Sequence, residues 1–280
     1  MHIDWDTVAK GIISPEGPAV DLDGQITLVS RWTGKVIRLG PAGRVTDLVQ
    51  TGGKPQSVAW SPAGRLLLAD SNLQSLFEIE PGTNALRTVV NSVNGKRLLG
   101  PNDLVVGDHG VVYLTDPGLE MEGLGQIVRV DLISGQTLLL ADGLRFPNGI
   151  TITADGRWLM VAESITHRIL RFELLEGGTR LGPVEVFYEF ADYHPDGIAF
   201  DSDGNLLVAM CGGGTLDVVS ALARVTASIP TGGSRATNCV FGGVDFQTLF
   251  VTEDDQQSVL STRWHVPGQR RFSRSLCRSV

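Results

Sequence analysis

Apolar residues along this chain come in short runs broken by tight polar turns. His194 to Met210 reads HPDGIAFDSDGNLLVAM, with apolar Ile198-Ala199-Phe200, the turn Asp201-Ser202-Asp203-Gly204-Asn205, and a second apolar run from Leu206 to Met210. Two such runs around an Asp/Gly/Asn turn predict a β-hairpin. The pattern returns as FPNGITITADGRWLMVAES from Phe146 to Ser164, and as GPNDLVVGDHGVVYLTD from Gly100 to Asp116. Each hairpin is entered by Pro followed by Asn or Asp. Third strands are predicted after most hairpins, over Lys35 to Leu39, Ser75 to Ile79, Gln126 to Asp131 and Arg168 to Glu173. Fourth strands are predicted over Thr137 to Leu140 and Glu185 to Phe190. The repeats carry no stretch of helical period, which argues against a solenoid.

The polar residue that opens the hairpin recurs as Glu16, Gln56, Asn102, Asn148, Asp196 and Asn238, at intervals of 40, 46, 46, 48 and 42 residues. Four short strands per roughly 40–50 residues is the pattern of a propeller blade. The expected fold is all-β: one six-bladed β-propeller of four-stranded antiparallel blades spanning 1–280. The segment from Asp6 to Ile13 precedes the first repeat and is expected to add an outer strand to the last blade, closing the ring and hiding its edges. The polar tail from Gly268 to Val280 is expected to be peripheral.

Composition narrows the function classes. The chain has 280 residues, 34 glycines and 42% apolar content, enough for a sizeable core with many turns. A net charge of −8 argues against a nucleic-acid partner. No apolar run approaches the about 20 residues that span a bilayer, and the first residues lack a signal-peptide pattern. Cys211, Cys239 and Cys277 are few and far apart, which fits a reducing, cytoplasmic setting and makes no CxxC zinc site. No GxSxG elbow is present.

In a propeller the first strand of each blade lines the central channel. The six mouth residues should therefore converge at one end of the axis. All carry side-chain oxygen and two are carboxylates, the donor set of a hard cation. Asn, Asp and Gly at strand starts also form turns, and at any single position that plain reading weighs as much as the functional one. Six polar residues out of six favour a site. Asp70, Asp116, Glu163 and Glu253 end second strands and should lie near the same mouth. Asp23-Gly24, Asp155-Gly156 and Asp203-Gly204 are turn chemistry. His194 reads as a rim residue, His2, His109, His167 and His265 lie outside the mouth positions, and Cys211 and Cys239 read as small core residues.

The phrases PEGPAVD, PNDLVV…VYLTDPG, FPNGITIT…MVAES and HPDGIAFDSDGNLLVA together resemble the SMP-30/gluconolactonase/luciferin-regenerating-enzyme family. The resemblance covers all six repeats. It implies a metal-dependent lactonase, with Glu16, Asn148 and Asp196 as ligands of one divalent cation. Ca²⁺ comes first, with Zn²⁺, Mg²⁺, Mn²⁺ or Fe²⁺ as alternatives. It implies Asn102 in contact with substrate or with water on the metal, and Asp196 as the base. Gln56 and His194 complete the expected substrate-binding set, with His194 a second candidate base. The expected partner is a small lactone or ester, with no nucleic acid and no membrane. A phosphoesterase on the same site and a non-catalytic scaffold are the alternatives. Three positions depart from the family pattern. Gly100 stands where sugar-lactone members often carry Arg, Ser30-Arg31-Trp32 replaces an Asp after the second strand of the first repeat, and Cys211-Gly212-Gly213-Gly214 replaces Asn-Gly-Gly. The Gly100 departure predicts a substrate with fewer hydroxyls than gluconolactone.

Overall fold

The computed structural model describes residues 3–21, 23–40, 43–80, 82–119 and 123–270. His2, Glu120-Met121-Glu122, Cys277 and the tail beyond Arg270 lie outside the described residues. Six antiparallel sheets stand around one axis. Blade one comprises Pro15–Val20, Ile26–Ser30, Lys35–Leu39 and Val45–Gln50; blade five comprises His194–Phe200, Leu206–Cys211, Thr215–Val219 and Val225–Pro230. Among the described residues the only helical turns are short 3₁₀ turns such as Arg31–Thr33 and Ser164–Thr166. Among the described residues no helix is long and apolar enough to cross a membrane.

The second strands are buried along nearly their whole length, Ile26–Ser30 and Leu66–Asp70 entirely so and the other four at all but one end residue. Each blade is covered on both faces by its neighbours, so these strands read as continuous apolar runs rather than alternations. The core is accordingly divided among the six interfaces between blades. Leu67 and Leu76 of blade two meet Leu114 and Val128 of blade three. Leu207 and Leu216 of blade five meet Phe241 and Leu249 of blade six.

Blade six takes three strands from the end of the chain, and its fourth is the N-terminal Asp6–Lys10, antiparallel to Ser258–Arg263. Ala9 and Ile12 are thereby buried in the interface between blades six and one. The strand stops at Lys10, before the expected Ile13, because Gly11 follows with φ 78°. At the other end of the chain, Gln269 donates from its backbone to Phe200 O and from Nε2 to Ile152 O. This segment crosses the face of the disc opposite the mouth.

Candidate active site

Five of the six innermost strands carry a bulge at or just after the polar residue that opens them. A bulge gives one strand an extra residue and re-aims a side chain. Here it turns the opening side chain into the channel. Glu16, Gln56, Asn148 and Asp196 are all buried there, while Asn102, just before the blade-three strand, is half-buried.

Strand register corrects the position read in blade six. Ala236 pairs with Glu253 and Asn238 with Thr252, just as Pro55 pairs with Asp70 and Ser57 with Ala69. Thr237 therefore occupies the opening position, and Asn238 lies one step deeper. The deeper tier runs Gly17, Ser57, Asp103, Gly149, Gly197, Asn238. Its glycines are forced by close approach: a Cβ on Gly17 would lie 2.1 Å from Ser57 Cα, and one on Gly197 would lie 2.1 Å from Asn238 Cγ. The narrow axis admits only three side chains at this level, and one of them is Asp103, which sequence reasoning passed over.

Three carboxyls thus share one water-poor channel. Asn238 Nδ2 donates to Glu16 Oε1 at 2.9 Å, while Glu16 Oε2 is buried without a hydrogen-bond partner. Burial raises the Glu16 pKa, against the opposing pull of Arg31. Asp103 accepts from Ile150 N at 3.2 Å and Leu104 N at 2.9 Å, yet burial, with Glu16 adding to it, pushes it up to about 7. Asp196 is raised well above the usual carboxylate range by burial and then by Glu16, with Asp103 adding to both and Arg31 and Asn148 opposing. These groups cannot all ionise together without a counter-cation. Two carboxylates, one of them with an orphaned oxygen, and an amide fit a hard divalent ion, although among the described residues no three His, Cys, Asp or Glu side chains form a metal cluster by themselves.

The acids that end the second strands have a different role. Asp70 Oδ1 accepts from Lys54 N at 2.9 Å and Leu73 N at 3.0 Å. Asp116 accepts from Leu99 N and Gly100 N, and Glu253 from Arg235 N and Gln256 N. Glu163 accepts from Arg145 N and Thr166 Oγ1. Each fixes the backbone that leads into the innermost strand, and so aims the mouth residue without facing the channel.

The mouth residues Gln56 and Asn148 are anchored by serines that follow the second strands, and His194 lies at the rim. Gln56 Nε2 donates to Ser71 Oγ at 2.7 Å, and Asn148 Nδ2 to Ser164 Oγ at 3.3 Å. His194 Nδ1 lies 3.0 Å from Ser164 O, with its ring against His167. A carbonyl only accepts, so Nδ1 carries a proton and Nε2 is the ring nitrogen left free of that contact. Cys211 is pushed up to about 11 by burial and then by Asp196, so it is a thiol rather than a nucleophilic thiolate. Cys239 is buried. Trp32, Leu99, Leu119, Leu124 and Tyr193 are exposed on the mouth loops. A groove of about 550 Å³, lined by Val58, Trp60, Leu104 and Phe246, opens at the opposite end of the axis and holds none of the mouth residues.

The fold and the channel define the class: a six-bladed propeller with a buried acidic site at one end of its axis. The family model described as SMP-30/Gluconolactonase/LRE-like region matches residues 13–254, and the chain belongs to that family. Among solved structures it is similar to a gluconolactonase from Xanthomonas campestris, at 22% identity and TM-score 0.83, covering 93% of this chain and 89% of that one. It is equally similar to a calcium-binding protein, regucalcin, from Agrobacterium tumefaciens, at 21% identity and TM-score 0.83 over 98% and 97% of the two chains. Adipocyte plasma membrane-associated protein of Gallus gallus is 31% identical over 204 residues, 67% of this chain and 47% of the relative. The chain spans about half the length of the curated relatives it matches.

Proposed function

We propose that this protein is a divalent-metal-dependent hydrolase that opens a small lactone ring in the mouth of the channel. The observation that carries the reading is the set of buried, mutually repelling carboxyls Glu16, Asp103 and Asp196, with one Glu16 oxygen left unpartnered. Glu16, Asn148 and Asp196 would hold the cation, Ca²⁺ before the alternatives. Bound there, the cation would polarise the lactone carbonyl and lower the pKa of water. Asp196 would accept the proton from the attacking water. Asn102 and Gln56 orient the substrate from blades three and two. His194 presents Nε2 at the rim.

The substrate is less hydroxylated than gluconolactone. Gly100 carries no side chain to hold hydroxyls, and its N–H is committed to Asp116 at 2.6 Å. The rim beside it is apolar, with Leu99, Leu119 and Leu124 exposed.

Metal analysis of purified protein and a panel of lactones, esters and phosphoesters test the reading. Asp196→Ala should abolish both cation binding and turnover while leaving the fold intact. Full activity in the metal-free protein or in that variant would overturn the proposal. A phosphoester turned over best would move the site to the alternative hydrolase. A preference for glucono-lactone over a hydroxyl-free lactone by about tenfold, roughly 1.4 kcal/mol of transition-state binding, would show that another residue takes the place of the missing arginine.

A further inference from the structure

Arg31 and Lys54 stand side by side at the mouth. Arg31 follows the second strand of blade one, in the 3₁₀ turn Arg31–Thr33. Its Nε donates to Ser14 Oγ at 2.9 Å, and its Nη2 lies 3.4 Å from Asp254 Oδ2. Asp254 is shared, since Arg235 Nη2 lies 3.0 Å from the same oxygen. Lys54 immediately precedes the innermost strand of blade two, Pro55–Trp60. Its Nζ lies 4.0 Å from the centroid of the Trp32 ring, and among the described residues it makes no hydrogen bond or ion pair. Partial burial and then the charge of Arg31 lower the Lys54 pKa.

Two like charges are thus held together, with Asp254 shared between Arg31 and Arg235 and no acid paired with Lys54 among the described residues. The two deep carboxylates that Arg31 faces are Glu16 and Asp196, and a divalent ion bound between them would cancel their charge. A half-buried ammonium without an acidic partner is a costly arrangement. It is relieved by an anion arriving from outside. Beside it Trp32, 67% exposed, offers a flat apolar face. An Arg and a Lys next to an exposed indole match a carboxylate attached to an apolar ring or chain.

We propose that Arg31, Lys54 and Trp32 form a subsite for a carboxylate carried by the substrate, so that the compound opened is an acidic lactone rather than a neutral one. The subsite rests on the hydrolase reading above for its catalytic meaning, but its binding can be measured without turnover.

Two measurements test it on the full chain with Ca²⁺ present. The first titrates cyclopentanecarboxylate, which cannot be hydrolysed, against cyclopentanecarboxamide by calorimetry. The acid should bind and the amide should bind at least about tenfold more weakly, the size of one charge-assisted hydrogen bond. Lys54→Met should remove that preference and Lys54→Arg should keep it. The second compares kcat/KM for a γ-lactone bearing a carboxylate with that for its carboxamide. The acid should be preferred, mostly through KM, and the ratio should fall towards unity in Lys54→Met. Equal binding of acid and amide, or a preference unchanged by Lys54→Met, overturns the subsite. Lys54-dependent carboxylate binding in a protein that hydrolyses no lactone supports the subsite and overturns the hydrolase reading.

Discussion

Asp103 shows how one side chain can be set by position rather than by type. Its sequence neighbour Asn102 matches the repeat, but Asp103 is the residue that faces the channel in the tier below. Its carboxyl is pushed up to about 7, so the folded protein holds the proton more tightly than the unfolded chain does. The stability this gives is fully present below the ordinary pKa of 3.8 and is lost as pH rises through about 7. Metal-free Asp103→Asn should therefore be more stable than wild type at pH 8, by a ceiling of about 4 kcal/mol, and nearly equal to it at pH 4. Urea unfolding with chelator at both values checks this. A variant no more stable at pH 8 would mean that the channel admits enough water to solvate the charge. Asp70 carries a different kind of weight. It accepts from Lys54 N, Leu73 N and Thr51 Oγ1 while fully buried. Asp70→Ala should cost about 2–4 kcal/mol, since it leaves buried N–H groups unpaired. Asp47 pairs with Lys35 in the open, and Asp47→Ala should cost under about 1 kcal/mol. Denaturant midpoints of the two variants make the comparison.

Single strands of this chain acquire their role from partners far away in sequence. Asp6–Lys10 has little apolar character of its own, yet it supplies the outer edge of blade six and joins the two ends of the ring. Deleting residues up to Lys10 should expose the Ser258–Arg263 edge and lower Tm by about 5 °C or more, which corresponds to roughly 2 kcal/mol for a domain of this size. Differential scanning fluorimetry measures it, and self-association of the truncated protein is the expected companion, because an open edge pairs with other edges. An unchanged Tm would mean that blade six holds without its outer strand. The predicted third and fourth strands start within one residue of the observed ones, as at Lys35–Leu39 and Ser75–Ile79, whereas Thr137–Leu144 and Arg168–Leu175 run past their expected ends, because the turn before a strand marks its start more sharply than the pattern marks its end. Asn238 was misplaced by one step for a related reason. Its blade lacks the entering proline, and Ala236-Thr237-Asn238 offers two polar residues between which only the pairing with Glu253 and Thr252 decides.

Taken as one ring, the molecule keeps its apolar core between blades and concentrates unsatisfied charge at the axis. A cation that binds only the folded ring must stabilise it. At a free concentration of about 100 Kd the gain is about 2.7 kcal/mol. Saturating Ca²⁺ should therefore raise Tm by several degrees, chelator should reverse the rise, and Glu16→Gln should abolish it. Thermal scans with Ca²⁺, Mg²⁺, Zn²⁺ and Mn²⁺ identify the ion by the size of the shift, and no shift with any of them would count against a cation at this site.

The sequence by itself determined the strands, the sixfold repeat and the set of polar residues that open the blades. Those features are local: an apolar run, a tight turn and a proline act over a few residues, and repetition makes them legible. The tertiary structure decided which polar side chains face the axis, which support the backbone behind them, and which charges meet. Asp103 and Asp70 are both acids at the ends of apolar runs. One was turned into the channel by its place in the ring, and the other into the backbone of the loop leading to the mouth. Arg31, Lys54 and Asp254 lie in three different blades, and only closure of the ring brings them to one rim. Burial and like charge shift the carboxyls of the channel through space, and no spacing along the chain records that distance.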